Sequence, residues 1–423
     1  MTPRDLLEPP ESARERLDKA FSPAEEIETP ERFAGRLPQL RQALRALRVA
    51  RASFLIYGHR GVGKTSFAKQ VQHIAAGNNE LVEALGLQEE IPSTGFSHPT
   101  AYFSCNDFIL DVPGLLQTML TDNDRVYGLG RYLEDTILAQ RTTGNTADLG
   151  GKLFGIGASS VDSATEQRIP IRGGSIDLFR QLTLEIVERH ANWPLVLVID
   201  ELERLKNKDG LASLIKAFTH LRFVLVGIAD NFHELVTDHA SVDRQLSEGV
   251  IQLRPMTNME LREIFTKGQS ILGESLVYEA DAIDEIVSMA SGFPHFVHFI
   301  GREAGFVTID RGAQRVTRAD VASAINQIVE TKRAARYENV FLNSVRGSAN
   351  MEIVLRTFAN AKGEEIHTRD VYLLCEAEGV TNTSQYVGNL VSGKILTKTR
   401  ERYYRFVDEL FRTYVRIRNW QFR

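Results

Sequence analysis

Ser53-Phe54-Leu55-Ile56-Tyr57-Gly58-His59-Arg60-Gly61-Val62-Gly63-Lys64-Thr65-Ser66 is the stretch from which the rest of the chain is read. The apolar run Ser53 to Tyr57 is short, rich in branched and aromatic side chains, and ends at a glycine, so it predicts a buried strand. Gly58 to Thr65 fits the spacing G-x-x-x-x-G-K-[ST]. A helical pattern then runs from about Lys64 to Ala76 and stops at Gly77-Asn78-Asn79. Between a strand and a helix, that spacing has a chemical reason. Glycines let the backbone N–H groups of His59, Arg60, Gly61, Val62 and Gly63 close around phosphate oxygens with no Cβ in the way. The helix N-terminus adds positive partial charge, and Ser66 lies in the same first turn. Lys64 is placed to reach the β- and γ-phosphates, and the Thr65 hydroxyl to hold Mg²⁺. A structural glycine turn is the competing reading; the strand–helix frame argues against it.

Outward from this loop, Ala101–Cys105, Leu195–Asp200, Phe223–Ile228 and Val250–Leu253 read as strands two to five, with helical patterns between most of them. Such alternation predicts a doubly wound parallel sheet. The third strand, Leu195-Val196-Leu197-Val198-Ile199-Asp200-Glu201, is apolar on both faces and delivers two carboxylates at its end. Asp200 is the candidate for holding the metal through its water shell, and Glu201 for polarising an attacking water. Glu203 and Arg204 read as a surface pair. The fourth strand ends in Asp230-Asn231, which either face the γ-phosphate or cap the next helix.

Residues 1–30, rich in Pro and Glu, read as an N-terminal arm. Leu37, Leu40, Leu44 and Leu47 stand at helical spacing. Residues 142–174, dense in Gly, Ser and Thr, read as a loop or hairpin insertion. The chain reads as all-helical from about 256 to 335. The last unit reads helix, helix, turn, helix, hairpin, helix, with Ser384 capping the helix 384–393, Ile395–Phe406 forming the hairpin, and Arg400-Glu401-Arg402 at its tip. From Ser384 to Arg423 there are nine Lys/Arg against three Asp/Glu, so this end is locally basic. Arg412 and Arg416 share a helix face and would extend the basic surface. Tyr403, Phe406, Phe411 and Tyr414 read as core.

A net charge of -5 argues against a protein that coats nucleic acid along its whole surface, so any such contact is local. Two distant cysteines, Cys105 and Cys375, exclude a disulfide framework and a cysteine-rich zinc site. His295 and His298 have no acidic or cysteine neighbours at ligand spacing and read as packing residues. With no apolar signal core at the N-terminus and no membrane-length run, the expected location is the cytoplasm.

The phosphate loop, the strand-end Asp200-Glu201 and the polar end of strand four together resemble the AAA+/STAND P-loop ATPases, in particular the initiator-like, archaeal-type branch with a C-terminal winged helix. Glu31-Arg32-Phe33-Ala34-Gly35-Arg36 is similar to the F-x-G-R entry of that group, which implies that Phe33 and Arg36 lie over the adenine. Gly292-Phe293-Pro294-His295 resembles the G-x-P motif of the helical lid and implies that Pro294 approaches the nucleotide; initiator-type members usually carry arginine where this chain has His295. Ser241–Leu246 falls where relatives face a neighbouring subunit, which implies Arg244 as an arginine finger; a surface arginine paired with Asp243 or Glu248 is the alternative.

The resemblance covers about residues 30–335. It implies an α/β P-loop NTPase three-layer sandwich with a parallel sheet in the order 5-1-4-3-2, a helical lid domain and a C-terminal winged-helix domain. The expected divisions are 1–30, 31–255, 256–335 and 336–423. The implied function is an ATPase that binds ATP with Mg²⁺, hydrolyses it slowly, forms a homo-oligomer when ATP-bound and switches a protein effector partner in bacterial signalling or antiviral defence. A DNA-binding initiator- or transposition-like ATPase, using the winged helix on DNA, is the second reading. A nucleotide-stabilised scaffold without turnover is the third.

Overall fold

A computed structural model of the chain describes residues 12–49, 52–122, 124–132, 175–229, 249–331 and 335–420. Five parallel strands form its central sheet: β1 (Phe54–Gly58), β2 (Thr100–Ser104), β3 (Leu195–Asp200), β4 (Leu221–Ile228) and β5 (Val250–Gln252), in the order β2-β3-β4-β1-β5. This is the order implied by the resemblance. Every residue of β3 is buried, with Val196 and Val198 in one core and Leu195, Leu197 and Ile199 in the other. A strand has a side-chain period of two, so a continuous apolar run is what burial on both faces requires. The helices Leu37–Arg48 and Lys64–Ala75 cover the first face; Val112–Thr121, Ser175–Arg189 and Leu211–Ala217 cover the second. The result is the three-layer α/β sandwich read from the sequence.

The lid follows as helices Asn258–Leu272, Ala280–Ala290, Pro294–Asp310 and Arg318–Glu330. It is not purely helical: β6 (Val277–Tyr278) and β7 (Arg315–Val316) pair in parallel and tie its loops together. Asp320 caps the last of these helices and also accepts two bonds from Arg311, at 2.6 and 2.9 Å.

The N-terminal segment is more than a lead-in arm. Ser12 and Glu15 form a capping box that starts a helix, Ala13–Ala20. Leu17 and Phe21 are fully buried against the lid. The Phe21 ring centroid is 5.3 Å from those of Phe265 and Tyr278. A Cβ on Gly268 or Gly301 would come within 3.2 Å of that ring, so the two glycines leave it its space. The chain then crosses to the phosphate-loop helix. Ile27 N donates to Ser66 Oγ at 2.9 Å, Gln70 Nε2 donates to Glu28 O at 2.7 Å, and Lys69 pairs with Glu28. A boundary at residue 30 therefore divides the sequence but not the packing.

The C-terminal unit has helices Ala335–Val345, Ala349–Asn360, Thr368–Ala377 and Thr383–Ser392, then Glu409–Arg418. A three-stranded antiparallel sheet, β8 (Ile366–His367), β10 (Tyr403–Phe406) and β9 (Leu396–Arg400), carries the predicted hairpin. Asn382, not Ser384, precedes the fourth helix. Phe406, Phe411 and Tyr414 are buried as read, and Tyr403 is half-buried. The basic surface proposed for Arg412 and Arg416 does not exist in that form. Both guanidinium groups turn inward to the carbonyls of Ala359 and Ala361, and Arg412 also pairs with Glu409 at 3.3 Å. Carbonyls left open at the C-terminal end of Ala349–Asn360 attract them more than solvent does.

No helix among the described residues is long and apolar enough to cross a membrane. Asp230, Asn231, Arg244 and the whole of the 142–174 segment lie outside the described residues.

Candidate functional site

The loop from β1 to the helix Lys64–Ala75 is held by backbone contacts that only glycine allows. A Cβ on Gly58 would stand 2.2 Å from Leu253 O, at the exit of β5. Gly63 sits at the helix cap in the left-handed region, with φ 89°. Lys64 begins the helix, is buried, and donates from Nζ to His59 O at 2.8 Å. Burial pushes its pKa down to about 8, against the opposing pull of Glu203 and Asp200.

Thr65 Oγ1 donates to Asp200 Oδ2 at 2.7 Å. The Tyr102 hydroxyl donates to the same oxygen at 2.8 Å, and Glu201 N donates to Oδ1 at 2.7 Å. Burial and the Asp200 charge raise the Tyr102 pKa far above its ordinary value, so it remains a donor. A threonine hydroxyl in contact with a buried carboxylate is a hard-oxygen pair of the kind Mg²⁺ prefers, so these residues fit the ion implied by the resemblance.

Glu201 is in the left-handed region at φ 52°, uncommon for a residue with a side chain. Its carboxylate stays partly exposed, 3.1 Å from Arg204 Nε, and accepts from Ser104 Oγ at 3.2 Å. This corrects the reading of Glu203 and Arg204 as a pair. Arg204 faces Glu201 and Asp107, while Glu203 Oε2 accepts from Ile228 N at 2.9 Å and ties the ends of β3 and β4 together. Arg60, Gly61, Lys64, Thr65, Ser66, Asp200 and Glu201 line one cavity of about 450 Å³, together with Pro23–Glu26 of the N-terminal segment.

Phe33 and Pro294 both come to the loop. They line a second, narrow cavity of about 50 Å³ beside Gly63 and Ser66. Arg36 reaches that cavity too, yet its guanidinium is engaged elsewhere: it donates to Arg254 O and Val62 O, both at 2.7 Å. It thereby clamps the β5 exit to the phosphate loop. His295 Nδ1 lies 3.1 Å from Pro23 O, turned toward the N-terminal segment.

The terminal helix closes the far side of the loop. A Cβ on Gly61 would come within 2.7 Å of the Leu410 side chain, and His59 Nε2 is 3.4 Å from Glu364 Oε1. The sequence reading missed Tyr102, Pro23–Glu26 and Leu410. Tyr102 reaches Asp200 through the register of β2 on β3, in which Ser104 pairs with Asp200 and Tyr102 lies two residues before it on the same face. The other two meet the loop only through long-range packing.

Residues 32–226 match the family model described as an AAA ATPase domain. An ORC1-type DNA replication protein of Thermoplasma acidophilum is 28% identical over 131 residues, covering 29% of this chain and 32% of that protein. One of Haloarcula marismortui is 24% identical over 270 residues, covering 60% of this chain and 48% of that protein. The chain thus spans about a third to a half of the length of these relatives. Among solved structures, the Aeropyrum pernix ORC1 protein in complex with DNA aligns over 96% of this chain and 97% of its own, at 16% identity and a TM-score of 0.45. A Walker-type ATPase of Pyrococcus abyssi aligns over 93% and 99%, at 14% identity and a TM-score of 0.49.

Proposed function

We propose, on the premise that this chain carries an AAA ATPase domain of the initiator-like kind, that it binds ATP, hydrolyses it slowly and uses the bound state to set the position of its C-terminal unit. The convergence of Lys64, Thr65, Asp200 and Glu201 on one cavity carries this reading. Lys64 would exchange the His59 carbonyl for phosphate oxygens. Thr65 and Asp200 would hold Mg²⁺, which supplies charge neutralisation on the phosphates when bound. Tyr102 keeps Asp200 oriented. Glu201, steadied by Ser104 and Arg204, would orient the attacking water. In an ATP-bound assembly, Arg244 of the partner subunit would complete the site.

Leu410 on Gly61 supports the switch, because phosphate-loop and C-terminal unit share a contact surface. For what the C-terminal unit holds, DNA is now the favoured reading over an effector protein. The two relatives named above are DNA replication proteins, and the hairpin tip presents Lys398, Arg400 and Arg402. Neutralising two of these should lower the salt slope of duplex binding by about 0.9 per lost phosphate contact.

The test is ATP titration and turnover in three proteins. Wild type should bind and hydrolyse; Lys64→Ala should lose binding while staying folded; Glu201→Gln should bind and not turn over. Unchanged ATP affinity in folded Lys64→Ala would overturn the site.

A further inference from the structure

The phosphate-loop helix Lys64–Ala75 carries two pairs of polar side chains, each pair four residues apart and so on one face. Ser66 and Gln70 hold the N-terminal segment, through Ile27 N and the carbonyls of Ile27 and Glu28. Thr65 and Lys69 form the neighbouring pair. Thr65 meets Asp200, and Lys69, one turn further on, is only 7% exposed.

A buried ammonium is costly unless it is paired. The carboxylates that Lys69 meets both come from the N-terminal segment: Glu28 pairs with it directly, and Glu26 Oε2 is 3.6 Å away. Its Nζ also stands 5.5 Å from the ring centroid of Tyr102 and 5.0 Å from that of Tyr127, within the range of cation–π attraction. Tyr127 is fixed in turn. Its hydroxyl donates to Glu28 Oε2 at 2.5 Å, and its carbonyl accepts from Tyr102 N at 2.7 Å. The Tyr102 hydroxyl ends this chain of contacts on Asp200 Oδ2.

We infer that Lys69 and Glu28 are positioning residues for the metal site: they hold the Tyr102 ring so that its hydroxyl fixes Asp200, which makes Mg²⁺ affinity depend on the N-terminal segment being docked. The inference rests on the phosphate-loop reading above. Groups that orient a metal-binding carboxylate through its hydrogen bonds contribute about ten- to a hundredfold to metal affinity. Neither Lys69 nor Glu28 lines the cavity shared by Lys64 and Thr65, so their effect falls on the carboxylate and not on the phosphates. The same segment is anchored on the lid by Leu17 and Phe21, so a lid movement that draws it away loosens Asp200 as well.

The experiment measures ATP affinity in excess EDTA and across a Mg²⁺ titration, on wild type, Tyr102→Phe, Lys69→Met, Lys69→Arg and Glu28→Gln. In Tyr102→Phe and Lys69→Met the Mg²⁺ midpoint should rise by about tenfold or more, while ATP affinity in EDTA stays at the wild-type value. Lys69→Arg, which keeps the charge over the two rings, should recover most of the loss. Glu28→Gln keeps the side-chain shape and should move the midpoint in the same direction, even if Lys69→Met folds poorly. A wild-type midpoint in folded Tyr102→Phe and Glu28→Gln, losses that are equal with and without Mg²⁺, or no difference between Lys69→Arg and Lys69→Met would overturn the positioning role alone. Failure of wild type to bind ATP in either condition would overturn the phosphate-loop reading and this one with it.

Discussion

Lys64 shows how one residue would link the fold to the proposed ligand. Its ammonium is buried against the His59 carbonyl and titrates at about 8 rather than 10.5. Between those values the unfolded chain holds the proton more tightly than the folded one, so the empty protein gains stability as pH rises through that window. ATP needs the charged form, so its affinity should fall over the same window, and binding there should take up a proton. The two trends run in opposite directions. Calorimetric titration in buffers of different protonation heat, beside thermal unfolding of the ATP-free protein, checks both. A flat ATP affinity from about pH 7 to 9.5 would remove Lys64 from the phosphates. Glu201 and Arg36 make a related point. Each is a non-glycine residue in the left-handed region, at φ 52° and 64°; Glu201 is held by Asp200 and by Ser104 of β2, and Arg36 by Glu260 of the lid. Backbone strain persists where the surroundings over-determine it, and here the two strained residues line the two cavities beside the phosphate loop.

At the level of elements, the segment Ser12–Glu28 matters most. A short helix on its own is marginal in water and survives through packing. Here the packing is Leu17 and Phe21 against the lid, after which Pro23–Glu26 line the larger of the two cavities beside the phosphate loop. Phe21→Ala should lower stability by about 3–5 kcal/mol, the range for a buried aromatic truncated to alanine. It should also weaken ATP binding, because the cavity wall loses its anchor. Chemical denaturation and ATP titration of the variant separate the two effects. ATP affinity equal to wild type would mean that the anchor and the wall act independently.

Across the whole molecule, the C-terminal unit is joined to both other parts. Trp420 Nε1 donates to Glu285 Oε1 of the lid at 2.5 Å, Arg416 reaches Ser291, and Leu410 sits on Gly61. A ligand shifts an equilibrium only through contacts that differ between its states. The Leu410–Gly61 contact is one that phosphate binding is positioned to alter. Leu410→Ala should therefore speed nucleotide exchange several-fold. It should also cost about 2–5 kcal/mol as a buried cavity. Exchange at the wild-type rate, measured by displacement of a fluorescent ATP analogue, would make the contact passive.

The sequence alone determined the phosphate loop, the strands of the sheet and the carboxylates at the end of β3. These are local patterns: a fixed spacing of glycines and lysine, and runs whose period matches burial on two faces. Tertiary structure alone decided what surrounds them. Arg412 and Arg416 look identical in sequence to DNA-facing arginines, yet carbonyls some fifty residues away draw them inward. Phe21 finds its pocket at Phe265, Tyr278 and Gly301, and Leu410 finds Gly61 across most of the chain. Lys69, ordinary in sequence, becomes notable only when folding sets it between Glu28 and the rings of Tyr102 and Tyr127. The physical reason is the same in each case. Periodicity states which face of an element is buried, but the partner that buries it, and the polar groups that must be satisfied in between, depend on contacts distant in the chain.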